Sequence, residues 1–234
     1  MEEEIERLSP LELKNELFAF LNLEKGIPLT YISLFKKPYE TVQRYLTKDR
    51  SSTTNPLKYL LFSVAVYTLV VNYHQGFKKL MSEMNKANQK GFENLKNLTG
   101  ENLFEKFVQA QEFYLSSMNL VYLFAVPIVA LITYWFFKKK YNYTENLAIH
   151  CYLYGTANWT SFFIILLTFP FDLPGYFMYT LIFFTYLVIS YLIKHIYQLK
   201  WFTTLAIQLL LLALFMIVGQ LCLIGIFLYF IFFT

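Results

Sequence analysis

The chain has 234 residues, of which 56% are hydrophobic and 20% aromatic against only 15% charged, a composition with too little polar cover for an ordinary water-soluble domain. Its formal charge of +4 is small and spread along the chain, which argues against a nucleic-acid binder with a concentrated Lys/Arg field. Several apolar runs approach the roughly 20 residues that a helix needs to cross a hydrocarbon layer about 30 Å thick. The expected class is therefore all-α: a polytopic helical membrane protein with about five transmembrane helices.

The start, Met1-Glu2-Glu3-Glu4, is acidic where a cleavable signal is basic and then apolar, so the first membrane segment is expected to serve as the targeting signal. Residues 1–56 read as a cytosolic or interfacial helical region. Ser9 as N-cap, Pro10 and Glu12 open an amphipathic helix carrying Leu13, Leu17 and Leu21 on one face, and Gly26 stops it. A second element begins at Pro38, with Tyr39, Val42 and Leu46 on one face and Lys36, Lys37, Arg44, Lys48 and Arg50 around it. These five cations either contact anionic lipid or a partner, or form the solvated face of a helix packed under the membrane domain.

Residues 57–234 form the expected transmembrane domain. Its spans are placed at about 57–73, 114–137, 147–169, 176–198 and 202–233, with a helical extracytosolic cap over 74–113 between the first two. Pro127 is expected to kink the second span. Two prolines and a glycine in Pro170-Phe171-Asp172-Leu173-Pro174-Gly175 make a tight turn between the third and fourth. The last block is too long for one upright crossing and too short for two, so one tilted helix is expected.

Five spans put Arg44, Lys48, Arg50 and Lys58, then Lys138 to Lys140, then Lys194 and Lys200 on one side, which the positive-inside rule makes the cytosol. The same arrangement places the six lysines and five glutamates of residues 74–113 outside. The location expected on this reading is a bacterial inner membrane with a cytosolic N-terminus.

In the third span Asn146, His150, Tyr154 and Asn158 recur every four residues, with Ser161 beside them, and the last span offers Gln208 and Gln220. Such an intramembrane polar stripe either forms a path with a titratable histidine or, the favoured reading, makes interhelical hydrogen bonds worth about 0.6–2 kcal/mol each. Cys151 and Cys222 lie in apolar segments and read as packing residues. His74, His150 and His195 lack metal-ligand spacing, so neither a metal nor a cofactor is expected. Catalytic motifs are missing too: the two aspartates, Asp49 and Asp172, fall in loops on opposite sides, and no His-Glu-x-x-His, Gly-x-Ser-x-Gly or phosphate-cradling glycine loop occurs.

The stretch Gly26-Ile27-Pro28-Leu29-Thr30, Pro38, Arg44-Tyr45-Leu46, Arg50 and Pro56-Leu57-Lys58-Tyr59-Leu60, with Tyr141 to Asn146 further on, resembles an uncharacterised family of bacterial multi-pass membrane proteins. Many members of that family begin with a cysteine-rich zinc ribbon, which this chain lacks. The layout is also similar to the membrane accessory proteins encoded beside type VI-B CRISPR effectors, a resemblance that implies a role in anti-phage defence.

The leading functional expectation is a non-enzymatic protein that self-assembles or scaffolds a cytosolic partner and changes membrane permeability. Its expected partners are membrane lipids, copies of itself and a cytosolic protein, without direct nucleic-acid contact. The alternatives are a small-molecule transporter, made the weaker option by the absence of buried charge and of paired broken helices, and a lipid-modifying enzyme using His150 and Glu145.

Overall fold

A computed structural model describes residues 26–73, 101–116, 118–168 and 176–233. The expected N-terminal helix from Ser9, most of the expected cap and the Pro170–Gly175 turn lie outside the described residues. Among those described, the chain forms eight α-helices and no strand: α1 Ile27–Lys36, α2 Pro38–Thr47, α3 Pro56–Tyr73, α4 Glu101–Ser116, α5 Met118–Phe137, α6 Tyr143–Thr168, α7 Tyr176–Tyr197 and α8 Trp201–Phe233.

Helix α1 is an element that the sequence reading missed. Gly26 occupies the N-cap of α1, with Pro28 in its first turn, where the missing N–H costs nothing. The helix buries Ile27, Thr30 and Leu34 against the bundle. Tyr31 reaches Thr160 at 3.1 Å, and the carbonyl of Phe35 accepts the Tyr191 hydroxyl at 2.7 Å. Thr30 and Thr54 clasp α1 to the turn before α3: Thr54 N–H donates to Thr30 Oγ1 at 2.9 Å, and Tyr152 donates to the Thr54 carbonyl at 2.7 Å. Helix α2 starts at Pro38, as expected.

Helix α6 is the spine of the molecule, and α3 is its most extensive neighbour. The two run in the same direction: Tyr59 meets Thr156 at 3.2 Å, Ser63 meets Asn158 at 3.3 Å, and Val71 shares a cluster with Ile165. Their close approach is made possible by Gly155, where a Cβ would stand 2.5 Å from the Tyr59 ring. Helix α7 runs antiparallel to α6, with Tyr197 opposite Asn146 and Thr185 opposite Ser161. The main core cluster joins α1, α2, α3, α5, α6, α7 and α8 around Leu34, Tyr59, Tyr152, Leu192 and Ile196.

Two boundaries differ from expectation. Helix α6 begins at Tyr143, a turn early, because Asn142 and Glu145 form a reciprocal cap: Glu145 N–H donates to Asn142 Oδ1 at 2.8 Å and Asn142 N–H to Glu145 Oε2 at 2.7 Å. Tyr114 belongs to α4, not to the following apolar helix, which starts at Met118. Pro127 lies inside α5, which continues from Met118 to Phe137.

Helix α8 is one uninterrupted helix of 33 residues, and among the described helices it is the one long and apolar enough by length and composition to cross a membrane. Its first half packs on α7 through Gln208. Its second half packs on α4, with Phe227 against Phe107, Phe230 against Phe113 and Gly219 beneath the Tyr114 hydroxyl. The other apolar stretches, Pro56–Val71, Leu123–Phe137 and Leu181–Tyr197, are shorter.

Candidate functional site

The polar residues singled out on α6 occupy one broad side of the helix, as a four-residue repeat drifts by only about 40° per step at 100° per residue. They do not line a single channel. His150 faces α5, with Nε2 2.8 Å from Thr133 Oγ1; Asn158 donates to Ser63 on α3; and Ser161 pairs with Thr185 on α7 at 2.8 Å. Tyr154 stacks on His150 with ring centroids 5.9 Å apart. Gln208 is buried between Ser190, which donates to its Oε1, and the Tyr186 carbonyl, which accepts from its Nε2 at 2.9 Å. Gln220 is exposed on α8 and does not join this set, because the helix turns that position away from its protein neighbours.

Hydroxyl groups extend the polar seam beyond the expected residues. Tyr31–Thr160, Tyr59–Thr156 and Thr53–Tyr152 are hydroxyl pairs at 3.1, 3.2 and 3.1 Å. The seam carries no formal charge: no Asp, Glu, Lys or Arg is among the buried side chains described. Nor do the described residues bring together three His, Cys, Asp or Glu side chains that could hold a metal. Cys151 is buried and Cys222 half-buried, both as free thiols.

Two buried hydrogen-bonding positions in the seam are left open, namely His150 Nδ1 and Trp159 Nε1. For the histidine, geometry assigns the role. The Thr133 hydroxyl lies 3.1 and 3.0 Å from the Val129 and Ala130 carbonyls, so its one proton points to them and its lone pair receives the Nε2–H of His150. That tautomer leaves Nδ1 as a bare acceptor. Trp159 Nε1 is an open donor, nine residues on and about half a turn round the helix, so the two serve opposite sides of α6.

At the end of the bundle where α6 begins, a second polar cluster fastens α2 to α6 and α7. Tyr141 accepts from Gln43 Nε2 at 2.8 Å and donates to the Ile196 carbonyl at 3.2 Å. Asn146, fully buried, donates to the Tyr141 carbonyl at 3.2 Å and accepts the Tyr197 hydroxyl at 2.8 Å. Lys140 donates to the Tyr197 carbonyl at 3.2 Å and Gln198 Oε1 at 3.0 Å, and lies over the Tyr39 ring. Lys36, Lys37, Arg44, Lys48 and Arg50 are all exposed at the surface of α1, α2 and the following turn, with Lys37 paired to Glu40 at 3.0 Å.

Burial is the main reason that the Tyr141 phenol is pushed up to about 12, against the opposing pull of the Gln43 hydrogen bond. A phenol whose ionisation is raised from 10.0 stabilises the fold through its neutral form. That contribution is complete below pH 10 and drains away as pH rises toward 12. The expected outcome is a fall in the unfolding temperature of the purified chain across this alkaline window, flattened in Tyr141→Phe. An identical slope in both proteins would dismiss the assignment.

A family model for solute carrier family 35 (SLC35F) matches residues 22–161 of this chain. The chain belongs to solute carrier family 35. It is therefore a membrane protein of a transporter family, and that family's members are carriers, not enzymes. No curated protein and no solved structure matches it. The match corrects the resemblances drawn from the sequence. It takes in Gly26–Leu60 and Tyr141–Asn146, the segments on which the likeness to an uncharacterised bacterial family rested, and the CRISPR accessory reading falls with it. In this solute carrier family 35 member the matched region runs from before α1 to Ser161, and so contains α1, α3, α5 and the seam on α6 as far as its last expected residue.

Proposed function

We propose that this solute carrier family 35 chain moves a small, uncharged polar solute across a membrane, with polar groups of α6 supplying its recognition. The observation that carries the proposal is the family match, which covers the α6 residues of this seam as far as Ser161. The chemistry of the seam supplies the substrate class. Hydroxyls, an amide and a neutral imidazole recognise a solute through hydrogen bonds, and a charge-free lining gives an ionic solute nothing to offset the loss of its hydration. His150 Nδ1 supplies an acceptor, Tyr154 an aromatic surface, and the Asn158–Ser63 pair an exchangeable hydrogen bond.

The transmembrane arrangement that goes with this function uses α3, α5, α6, α7 and α8 as crossings, with α2 at the cytosolic end and α1 packed against α6 and α7. The parallel run of α3 and α6 and the antiparallel run of α6 and α7 support it, since alternate crossings of a chain point the same way. The lysines gathered at the start of α6 support the cytosolic assignment of that end. The earlier pore and scaffold readings give way to the carrier.

The test is uptake by the full chain reconstituted in liposomes, offered a panel of neutral sugars, polyols, nucleosides and zwitterionic amino acids. One class is expected to enter saturably. His150→Phe and Asn158→Leu are each expected to lower its uptake at least about tenfold, the effect of removing one buried hydrogen bond of 1–3 kcal/mol, while Gln220→Leu leaves it unchanged. Non-saturable leakage of every solute, or uptake indifferent to His150 and Asn158, would reject the proposal.

A further inference from the structure

The end of the bundle where α5 and α7 terminate repeats one arrangement twice. At the end of α5 the exposed pair Trp135-Phe136 stands just before Lys138, Lys139 and Lys140; at the start of α8 the exposed pair Trp201-Phe202 stands just after Lys200. The two copies are neighbours. Lys140 bonds both the Tyr197 carbonyl and Gln198, which draws the 138–142 turn onto the 198–200 turn, and Lys194 sits 4.3 Å from the Trp201 ring.

The aromatic side chains are too exposed to be core residues: Trp135 is 75% accessible and Phe202 is 86% accessible. An indole or phenyl ring left outside the fold beside an ammonium group suits the boundary between acyl chains and headgroups, where the ring sits in the apolar side and the amine reaches the phosphate. The acids at this end are already engaged. Glu40 pairs with Lys37, Asp49 accepts from Ser51 at 2.8 and 2.6 Å, and Glu145 caps α6. Lys138, Lys139 and Lys200 are all exposed.

We propose that Lys138, Lys139 and Lys200, flanked by Trp135-Phe136 and Trp201-Phe202, form a binding site for the headgroup of an anionic phospholipid. The lysines take the phosphate and the aromatic pairs take the glycerol and upper acyl region. A free anion would use the charges but not the rings, so lipid is the occupant that both halves of the arrangement fit. The site rests on the transmembrane arrangement proposed above but not on the transported solute, because none of its residues belongs to the seam.

The chain carries its own reporters, since two of its three tryptophans, Trp135 and Trp201, flank the site and the third, Trp159, is buried. The full chain is reconstituted in mixed phosphatidylcholine and phosphatidylglycerol vesicles in which one lipid or the other is brominated to quench tryptophan emission. Brominated phosphatidylglycerol is expected to quench more strongly, to an extent that corresponds to about fivefold enrichment around the tryptophans, roughly the attraction of one engaged lysine. The triple change Lys138→Gln, Lys139→Gln, Lys200→Gln is expected to bring the two lipids to parity. The matched triple Lys36→Gln, Lys48→Gln, Arg50→Gln leaves the enrichment in place.

High salt supplies a test without any variant: a Debye length of about 3 Å at 1 M is expected to erase the preference in the wild-type chain. Equal quenching by both lipids at low salt overturns the site, as does enrichment that survives the first triple change or disappears equally in the second. Inorganic phosphate added to pure phosphatidylcholine vesicles is expected to leave the emission unchanged. A shift with phosphate alone reassigns the site to a free anion and overturns the lipid proposal.

Discussion

Gly155→Leu is expected to abolish folding, and Gly155→Ala to destabilise the chain measurably, although alanine is the better helix former. On Gly155 a Cβ stands 2.5 Å from Tyr59 Cδ1 and 2.7 Å from Cε1, inside any permitted contact. The ring cannot yield easily: Tyr59 is fully buried, its hydroxyl is 3.2 Å from Thr156, and the Tyr152 ring packs 5.8 Å away. Overpacking of this kind costs about 1–3 kcal/mol, while replacing a mid-helix glycine by alanine returns about 0.5–1 kcal/mol, so the loss wins. Unfolding titrations of the purified chain measure the difference. Tyr59→Leu, which removes the ring edge, is expected to relieve Gly155→Ala by more than half, whereas Tyr59→Phe, which keeps the edge, relieves none of it. Relief by both, or by neither, would show that the clash lies elsewhere.

The second large effect is expected at Asn146, where one side chain serves the α5–α6 turn and the end of α7 together. Asn146→Leu preserves size but leaves the Tyr197 hydroxyl buried without its acceptor and the Tyr141 carbonyl without that donor, at a cost of about 2–3 kcal/mol. Asn146→Asp is expected to be worse, because it sets an unpaired charge in a fully buried position. Tyr197→Phe in the Asn146→Leu background removes the orphaned hydroxyl and is expected to recover about 1 kcal/mol. Strict additivity of the two changes would mean that the 2.8 Å contact is energetically idle.

Much of this architecture is legible in the amino-acid sequence, because apolar run length and turn residues are local signals. The start of α2 at Pro38 and the single long helix α8 follow directly from them, and the four-residue spacing of Asn146, His150, Tyr154 and Asn158 gathers these residues on one side of α6. Helix α1 escaped because its apolar residues lie on two faces, with Ile27, Thr30 and Leu34 inward and Leu29 and Ile32 outward, so no single stripe stands out. The Pro at its first turn was the available signal.

The early start of α6 was also written in the sequence, as Asn142 and Glu145 at cap spacing, but an apolarity-based boundary passes over polar first turns. The partners of the stripe were not readable. Which neighbour meets His150, Asn158 or Ser161 depends on helix crossings, and spacing along one helix carries no information about those. Gln220 illustrates the same limit in reverse: its polarity resembled that of Gln208, yet only tertiary packing separates the buried residue from the exposed one.

Helix α8 extends about 50 Å at 1.5 Å per residue, well beyond a hydrocarbon slab of about 30 Å, and it is moored near both extremities. Gln208 ties it to α7, and the Lys106 ammonium reaches the Ile231 carbonyl at 3.4 Å, joining its far tip to α4. A rod that exceeds its slab and is pinned twice has one soft coordinate left, its inclination. In the crossing proposed for α8, a thinner lipid sheet is met by greater inclination, and the contact at Lys106 joins that inclination to α4.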